Sequence, residues 1–385
     1  MEQEFDRREL LKRGAAVSGL AALTAANWPL PALALGEELV PFTDTDQPIN
    51  REPAKAGVNH IVDTRTLDTF YTPNENFYVV QHYGQPEIDT AKYRLRITGL
   101  VDTPMELSLD DIMKRQRIEL DAGFECGGNM KRFFYGLVGN AKWAGISLSS
   151  LLKECGVQPE GKEIVFFGAD EAEEEIRKLK VKQNFARSMS VEDAMGKDNM
   201  LAYEMNGDPL PHFHGKPLRV VIPGWFGVAN VKWVNQIHVQ DDRFMGKFMA
   251  RDYVTLRKYD VGGVERWTEE SITRMNLMSV VVRVTRNGDE YKIWGFSLND
   301  GTPLKSVEIK VDDGPWKLAD LHREVSKYSW KMFSYDWTDV KPGDHTIVSR
   351  AIDINGNIQL TEEQVPEKAT YWENPGQFPR TIKTT

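Results

Sequence analysis

Apolar and polar positions fall into two textures along the chain, and these predict two folded regions. From Asn76 onward, short apolar runs recur at Phe77–His82, Tyr93–Ile97, Ile118–Phe124, Glu163–Phe167, Leu218–Ile222 and Val231–Val239. Each reads as a strand. Ser108-x-x-Asp111 and Ser190-x-x-Asp193 place capping side chains ahead of helical stretches, and Ser147–Lys153 has a similar helical look. Strands interleaved with short helices predict an α+β domain over residues 76–272. The charge run DEAEEEIRKLKVK, residues 170–182, reads as a solvated surface helix or hairpin.

After Asn276 the period becomes two. Val307, Ile309 and Val311 alternate with Ser306, Glu308, Lys310 and Asp312. Turn signals recur at Asn287-Gly288, Asn299-Asp300-Gly301, Asp312-Asp313-Gly314, Pro342-Gly343-Asp344 and Asn355-Gly356. Strand candidates fill the gaps at Met278–Thr285, Tyr291–Leu298, Ser329–Trp337 and His345–Asp353. This spacing predicts an all-β immunoglobulin-like sandwich with a C-terminal tail over 273–385. The segment 35–75, with Pro41, Pro48, Pro53 and Pro73, reads as loop-rich.

Composition narrows the chemistry. The chain of 385 residues carries 48 Lys+Arg against 57 Asp+Glu, a formal net charge of −9, which argues against a nucleic-acid partner. Two cysteines exclude a Cys₄ zinc site, a four-thiolate iron–sulfur cluster and a multi-disulfide scaffold. No C-x-x-C-H occurs, so no covalent haem is expected, and no phosphate-loop, dinucleotide or G-x-S-x-G motif is present. At the N-terminus, Arg7-Arg8, the apolar stretch Gly14–Ala26 and Ala32-Leu33-Ala34 read as a twin-arginine export signal over 1–34. The expected location is therefore periplasmic, with the signal removed. No later run reaches 18 apolar residues, so no membrane span is expected.

Cys126 is the leading candidate for chemistry. A strand-like run delivers it, Gly127-Gly128 allow a sharp turn and close approach of a bulky group, and Lys131-Arg132 follow. On the local pattern, a reactive or metal-bound thiolate and a small buried hydrophobe stand level. Cys155, at the end of a helical stretch, reads as structural. Downstream, Arg219 and Lys232 bracket a glycine-punctuated strand and loop, a combination suited to a bound phosphate. His212 and His214 lack a nearby third ligand, so the pair is a weak zinc signal.

The order E-C-G-G-N, L-A-Y-E-M-N-G-D-P-L-P, H-G-K-P-L-R-V-V-I-P-G, V-K-W and R-D-Y resembles the sulfite oxidase family of molybdenum enzymes, over roughly residues 75–365. The resemblance implies that Cys126 ligates the molybdenum of a Mo-molybdopterin cofactor. It implies that His82, Asp170, His214, Arg219 and Lys232 hold the pterin and its phosphate, and that Tyr253 stands beside the metal. It also implies a homodimer through the sandwich. Where sulfite-oxidising relatives carry a substrate arginine, this chain has Val80, followed by Gln81. The basic pair after the cysteine motif becomes Met130-Lys131, with Arg132 beyond. The stretch from Arg132 to Trp143 is short, so a pocket tryptophan is not evident. Lys131 and Arg132 are the expected replacement cations for a small oxyanion or sulfur-compound substrate. The implied activity is oxygen-atom transfer, from sulfite to sulfate, with electrons leaving to an external carrier such as cytochrome c. The alternatives are another substrate, such as a sulfoxide, on the same cofactor, or a cofactor-free binding protein.

Overall fold

The computed structural model describes residues 37–45, 59–365 and 372–385. The export-signal expectation on residues 1–34 lies outside the described residues.

Two sheets face each other in the first region. One runs Arg219–Val221, Met200–Met205, Val138–Ser147, Arg117–Glu125 in spatial order, all antiparallel. The other runs Met105–Ser108, Arg94–Gly99, Val234–Gln240, Glu163–Ile176, Leu179–Ser190, with one parallel pairing, of Val234–Gln240 on Arg94–Gly99. Leu95, Ile97, Phe166, Ile237, Leu201 and Val220 fill the space between them, joined by Leu148, Leu151 and Leu152 of the helix Leu148–Cys155. Cys155 closes that core, its Sγ donating to the Leu152 carbonyl at 3.2 Å. Among the described residues the α-helices are short. The capping box of Ser108 and Asp111 starts Leu109–Met113, and the Ser190 side chain accepts from the Asp193 N–H at the start of Val191–Ala194.

The other face of the Arg117–Glu125 sheet contributes Ala122, Phe124, Val138, Ala141 and Trp143 to a second core. Met278, Val280, Phe296, Leu298 and Trp330 of the C-terminal region meet it there, with Phe70, Phe77 and Tyr78. The two regions therefore share one continuous apolar cluster. The C-terminal region is a sandwich of antiparallel sheets with five and four strands. Val281, Val284, Ile293, Val307, Ile309, Phe333 and Ile347 pack between them.

Several boundaries differ from the sequence reading. Glu38–Val40, in the segment read as loop-rich, pairs with Met278–Asn287 and extends the sandwich. Phe77–His82 is not a sheet strand; among the described residues its one ladder contact is the Val79–His60 bridge, because Phe77 and Tyr78 turn into the core while His82 turns out to a cavity. The charge run forms the outer half of the hairpin Glu163–Ile176 / Leu179–Ser190, where Lys182 pairs with Glu171 and Lys180 with Glu173 across the strands. A further hairpin, Val254–Val261 / Val264–Ser271, was not anticipated; it starts next to Tyr253 and ends next to Ile272. No helix among the described residues is long and apolar enough to cross a membrane.

Candidate active site

The strand Arg117–Glu125 ends where the chain must turn away from the sheet, and Asn129 fixes that turn. Its Oδ1 accepts from the Leu137 N–H at 3.0 Å, and its Nδ2 donates to the Tyr135 carbonyl at 3.2 Å and to Glu125 Oε1 at 3.3 Å. The Cys126 N–H donates to the Leu137 carbonyl at 2.9 Å. Gly127 lets Ile272 pack closely here: an added Cβ would lie 2.1 Å from Ile272 Cδ1, and that side-chain end would have to shift. Held this way, Cys126 lines a cavity with Val80, Gln81, His82, Phe124, Asp170, His214, Arg219, Lys232 and Tyr253.

Burial pushes the Cys126 thiol up to about 11, against the pull of the Gly128 N–H. The protein alone therefore keeps this sulfur protonated. A thiolate forms when a coordinated cation displaces the proton. Glu125 beside it is also pushed up by burial, to about 8, so it adds no negative charge near neutrality.

Lys131 and Arg132 do not enter the cavity. A 3₁₀ turn, Lys131–Phe133, followed by positive φ at Phe134 (50°) and Tyr135 (52°), carries them to the surface. There Lys131 Nζ lies 5.4 Å from the Phe378 ring centre and the Arg132 guanidinium 4.6 Å from that of Phe133. Their expected role beside the substrate is thus not what the geometry gives them.

The cations in the cavity come from elsewhere. Arg219 is buried; it donates to the carbonyls of His214 and Asn230, both at 3.1 Å, and lies 4.8 Å above the Trp143 ring centre. Burial lowers it to about 10. Lys232 Nζ donates to the Phe213 carbonyl at 3.2 Å and lies 4.3 Å from the Trp233 ring centre. Burial first, then the Arg219 charge, push Lys232 down to about 7 against the attraction of Asp170. Among the described residues neither cation has a carboxylate within ion-pair distance. Asp170 is buried and pushed up to about 6 by burial, with its Oδ1 lacking a hydrogen-bond partner. His214 Nε2 donates to the Asn74 carbonyl at 2.8 Å, which fixes the neutral tautomer, and burial holds its pKa well below the usual value.

His82 and Tyr253 line the same cavity. Their Nε2 and Oη are 2.8 Å apart. The His82 ring stacks on Phe248 at 4.7 Å and on Phe185 at 5.6 Å, and one side stays open to the cavity. Packed protein, then Lys232 and Lys247, lower its pKa to about 4, so it is neutral near pH 7. Tyr253 holds a positive φ of 56° and stacks on Trp372 at 4.0 Å. Trp372 had no signal in the sequence, because it reaches the site from the C-terminal tail. His212 bonds to Gln85 and the Pro86 carbonyl, apart from His214, and the described residues hold no cluster of three or more His, Cys, Asp and Glu suited to a metal.

Known proteins resemble this chain in sequence and in fold. Residues 82–248 match the model of the oxidoreductase molybdopterin binding domain. The chain is 32% identical over 328 residues to mitochondrial sulfite oxidase of Drosophila melanogaster, covering 76% of this chain and 56% of that protein. It is 27% identical over 361 residues to the human mitochondrial enzyme, covering 84% of this chain and 65% of that protein. These matches support a sulfite oxidase family molybdopterin oxidoreductase, and the chain spans between about half and two thirds of the length of these curated relatives. Its fold is similar to that in the crystal structure of the sulfane dehydrogenase SoxCD from Paracoccus pantotrophus. The TM-score is 0.73 at 24% identity, with 91% of this chain and 90% of that chain covered.

The cavity fits the family's cofactor on its own chemistry. A buried acceptor, Asp170 Oδ1, is available to a pterin N–H, and Arg219 Nε is a buried donor without a hydrogen-bond partner among the described residues. Two cations without carboxylates suit a terminal phosphate. A soft sulfur lining the same cavity suits a metal carried by a dithiolene.

Proposed function

We propose that the protein is a molybdenum oxidoreductase that transfers an oxygen atom to a small sulfur oxyanion, oxidising sulfite to sulfate. The observation that carries this reading is the cavity that Cys126 lines together with Arg219, Lys232 and Asp170. In this reading Cys126 Sγ ligates the metal, and His82, Asp170, His214, Arg219 and Lys232 hold the pterin and its phosphate. When bound, the cofactor supplies the transferable oxygen and accepts the electron pair. The protein's own contribution is orientation and charge. With His82 neutral, its Nε2 can donate to Tyr253 Oη, and the phenol then presents its proton to an oxyanion in the cavity. The reading extends to a periplasmic homodimer, exported by the twin-arginine route, that passes electrons to a separate carrier such as cytochrome c.

A second reading keeps the cofactor and changes the substrate to a less charged sulfur compound, such as a sulfoxide. Val80 favours it, because this side chain lines the cavity where relatives that oxidise sulfite carry an arginine. A desolvated dianion beside a valine needs another cation to compensate it. Metal analysis of the purified protein, followed by assays with sulfite and with sulfoxides, separates the readings. Molybdenum near one equivalent and a sulfite kcat/KM above about 10⁴ M⁻¹s⁻¹ are expected. Absence of molybdenum overturns both, and turnover of sulfoxides alone selects the second.

A further inference from the structure

The buried cation Arg187 lies outside the cofactor cradle. Arg187, on the strand Leu179–Ser190, is 1% exposed, and no carboxylate among the described residues pairs with it. Its guanidinium donates to two carbonyls, Phe248 and Ile272, the latter at 2.6 Å, and its Nε has no hydrogen-bond partner. A guanidinium without an anion in the interior is costly, so the arrangement calls for a compensating role.

The two carbonyls identify that role. Phe248 precedes Tyr253 in the chain and packs on His82. Ile272 follows the hairpin that Tyr253 opens, donates its N–H to the Tyr253 carbonyl at 2.9 Å, and touches Gly127 next to Cys126. One planar fork therefore ties the chain entering the tyrosine to the chain leaving its hairpin. Such a tie is needed because Tyr253 holds φ at 56°, a conformation unfavourable for a bulky residue that persists only where surroundings enforce it. We propose that Arg187 is a positioning residue for Tyr253, clamping the backbone on both sides so that the phenol stays against His82 at the cavity wall. The charge of Arg187 and the Tyr253 phenol also lie within electrostatic reach of each other. The catalytic consequence rests on the oxygen-transfer reading; the structural consequence does not.

The test uses the full-length, cofactor-loaded protein and the variants Arg187→Met, Arg187→Lys, Tyr253→Phe, Trp372→Phe and the double variant of Arg187→Met with Tyr253→Phe. Arg187→Met is expected to keep its molybdenum, to lower kcat by about 10–100-fold, and to leave KM within about threefold, as displacement of a reacting group does. In the Tyr253→Phe background the same change is expected to cost less than about threefold, because the two residues act as one unit. Arg187→Lys keeps the charge but reaches only one carbonyl, so it falls between. A readout independent of turnover is the near-ultraviolet circular dichroism of the Tyr253–Trp372 stack. Arg187→Met is expected to lose the band that Trp372→Phe loses, and Arg187→Lys to keep part of it. Losses that multiply in the double variant, or an unchanged aromatic band in Arg187→Met, overturn the proposal. If Arg187→Met does not fold, wild-type kcat and band in Arg187→Lys overturn it. If the wild-type protein does not turn over sulfite, the oxygen-transfer reading of that substrate fails while the dichroism still decides the role of Arg187.

Discussion

Lys131 and Arg132 follow Cys126 closely in the chain, whereas Arg219 and Lys232 come from a distant strand and loop; the distant pair reaches the cavity and the near pair does not. The difference comes from what each backbone is doing. Arg219 starts a strand paired to Met200–Met205, and its guanidinium is held between backbone carbonyls above Trp143 and Phe124. Lys131 opens a 3₁₀ turn that leaves the sheet, so water solvates it. A cation in the interior without a carboxylate is expensive, and an anionic ligand recovers that cost. A solvated cation gains little from the same ligand. The inner pair is therefore built to hold a charged group, and the outer pair is ordinary surface.

Replacing the sulfur that shares the cavity with the inner pair gives the largest expected effect. Cys126→Ser should lower oxygen-transfer activity by more than about 100-fold, since even outer partners of metal ligands cost 10–100-fold. Molybdenum analysis beside the assay checks it, and near-wild-type turnover would remove Cys126 from the metal. Next in size, Lys232→Met or Arg219→Met should weaken cofactor retention about 10–100-fold, a charge-assisted hydrogen bond contributing roughly 1.5–3 kcal/mol. Pterin content after dialysis measures this. If the outer pair were the phosphate site instead, these variants would stay loaded.

The pH dependence sharpens the contrast further. Lys232 is pushed down to about 7 in the cofactor-free protein, whereas an unfolded lysine titrates at 10.5. Between those values the unfolded chain binds more protons than the folded one, so Lys232 makes stability of the cofactor-free protein rise with pH over that window. Anion binding runs the other way. A phosphate restores the proton to Lys232, so affinity should fall as pH rises through about 7 and beyond, by up to about tenfold per unit. Calorimetric titration with inorganic pyrophosphate in two buffers of different ionisation enthalpy should show proton uptake at pH 8. Lys232→Met should abolish that uptake. Uptake of the same size in Lys232→Met would assign the proton to another group.

Much of this site could be read from the sequence, for a physical reason. Cys126, His214, Arg219 and Lys232 lie in long local motifs whose spacing is set by strands and tight turns, as at Gly127 and Asn129. The sandwich was visible for a similar reason, since period-two alternation and turn residues are local signals. What escaped was non-local. Trp372 meets Tyr253 only because the tail returns from the sandwich, with the Glu373 N–H donating to the Gly127 carbonyl at 2.7 Å. Arg187 sits among alternating polar and apolar residues, and nothing nearby in the sequence says that its guanidinium turns inward. The strand Glu38–Val40 is likewise too short to announce itself without its partner in the sandwich.

The smallest expected effect is the most direct test of the comparison. If neighbours in sequence were neighbours in function, neutralising Lys131 and Arg132 together would disable an enzyme for a dianion that lacks an arginine at position 80. Their exposure argues otherwise: a solvated cation at the surface acts through screened, long-range attraction, and surface substitutions usually stay within about 0.5 kcal/mol. Lys131→Ala with Arg132→Ala should therefore change sulfite kcat by less than about threefold, while any loss appears in KM and shrinks as salt rises. Steady-state assays at low and at physiological ionic strength measure both parameters. A salt-independent collapse of kcat would mean that the 3₁₀ turn folds inward when substrate binds, and would move these two cations from the surface into the site.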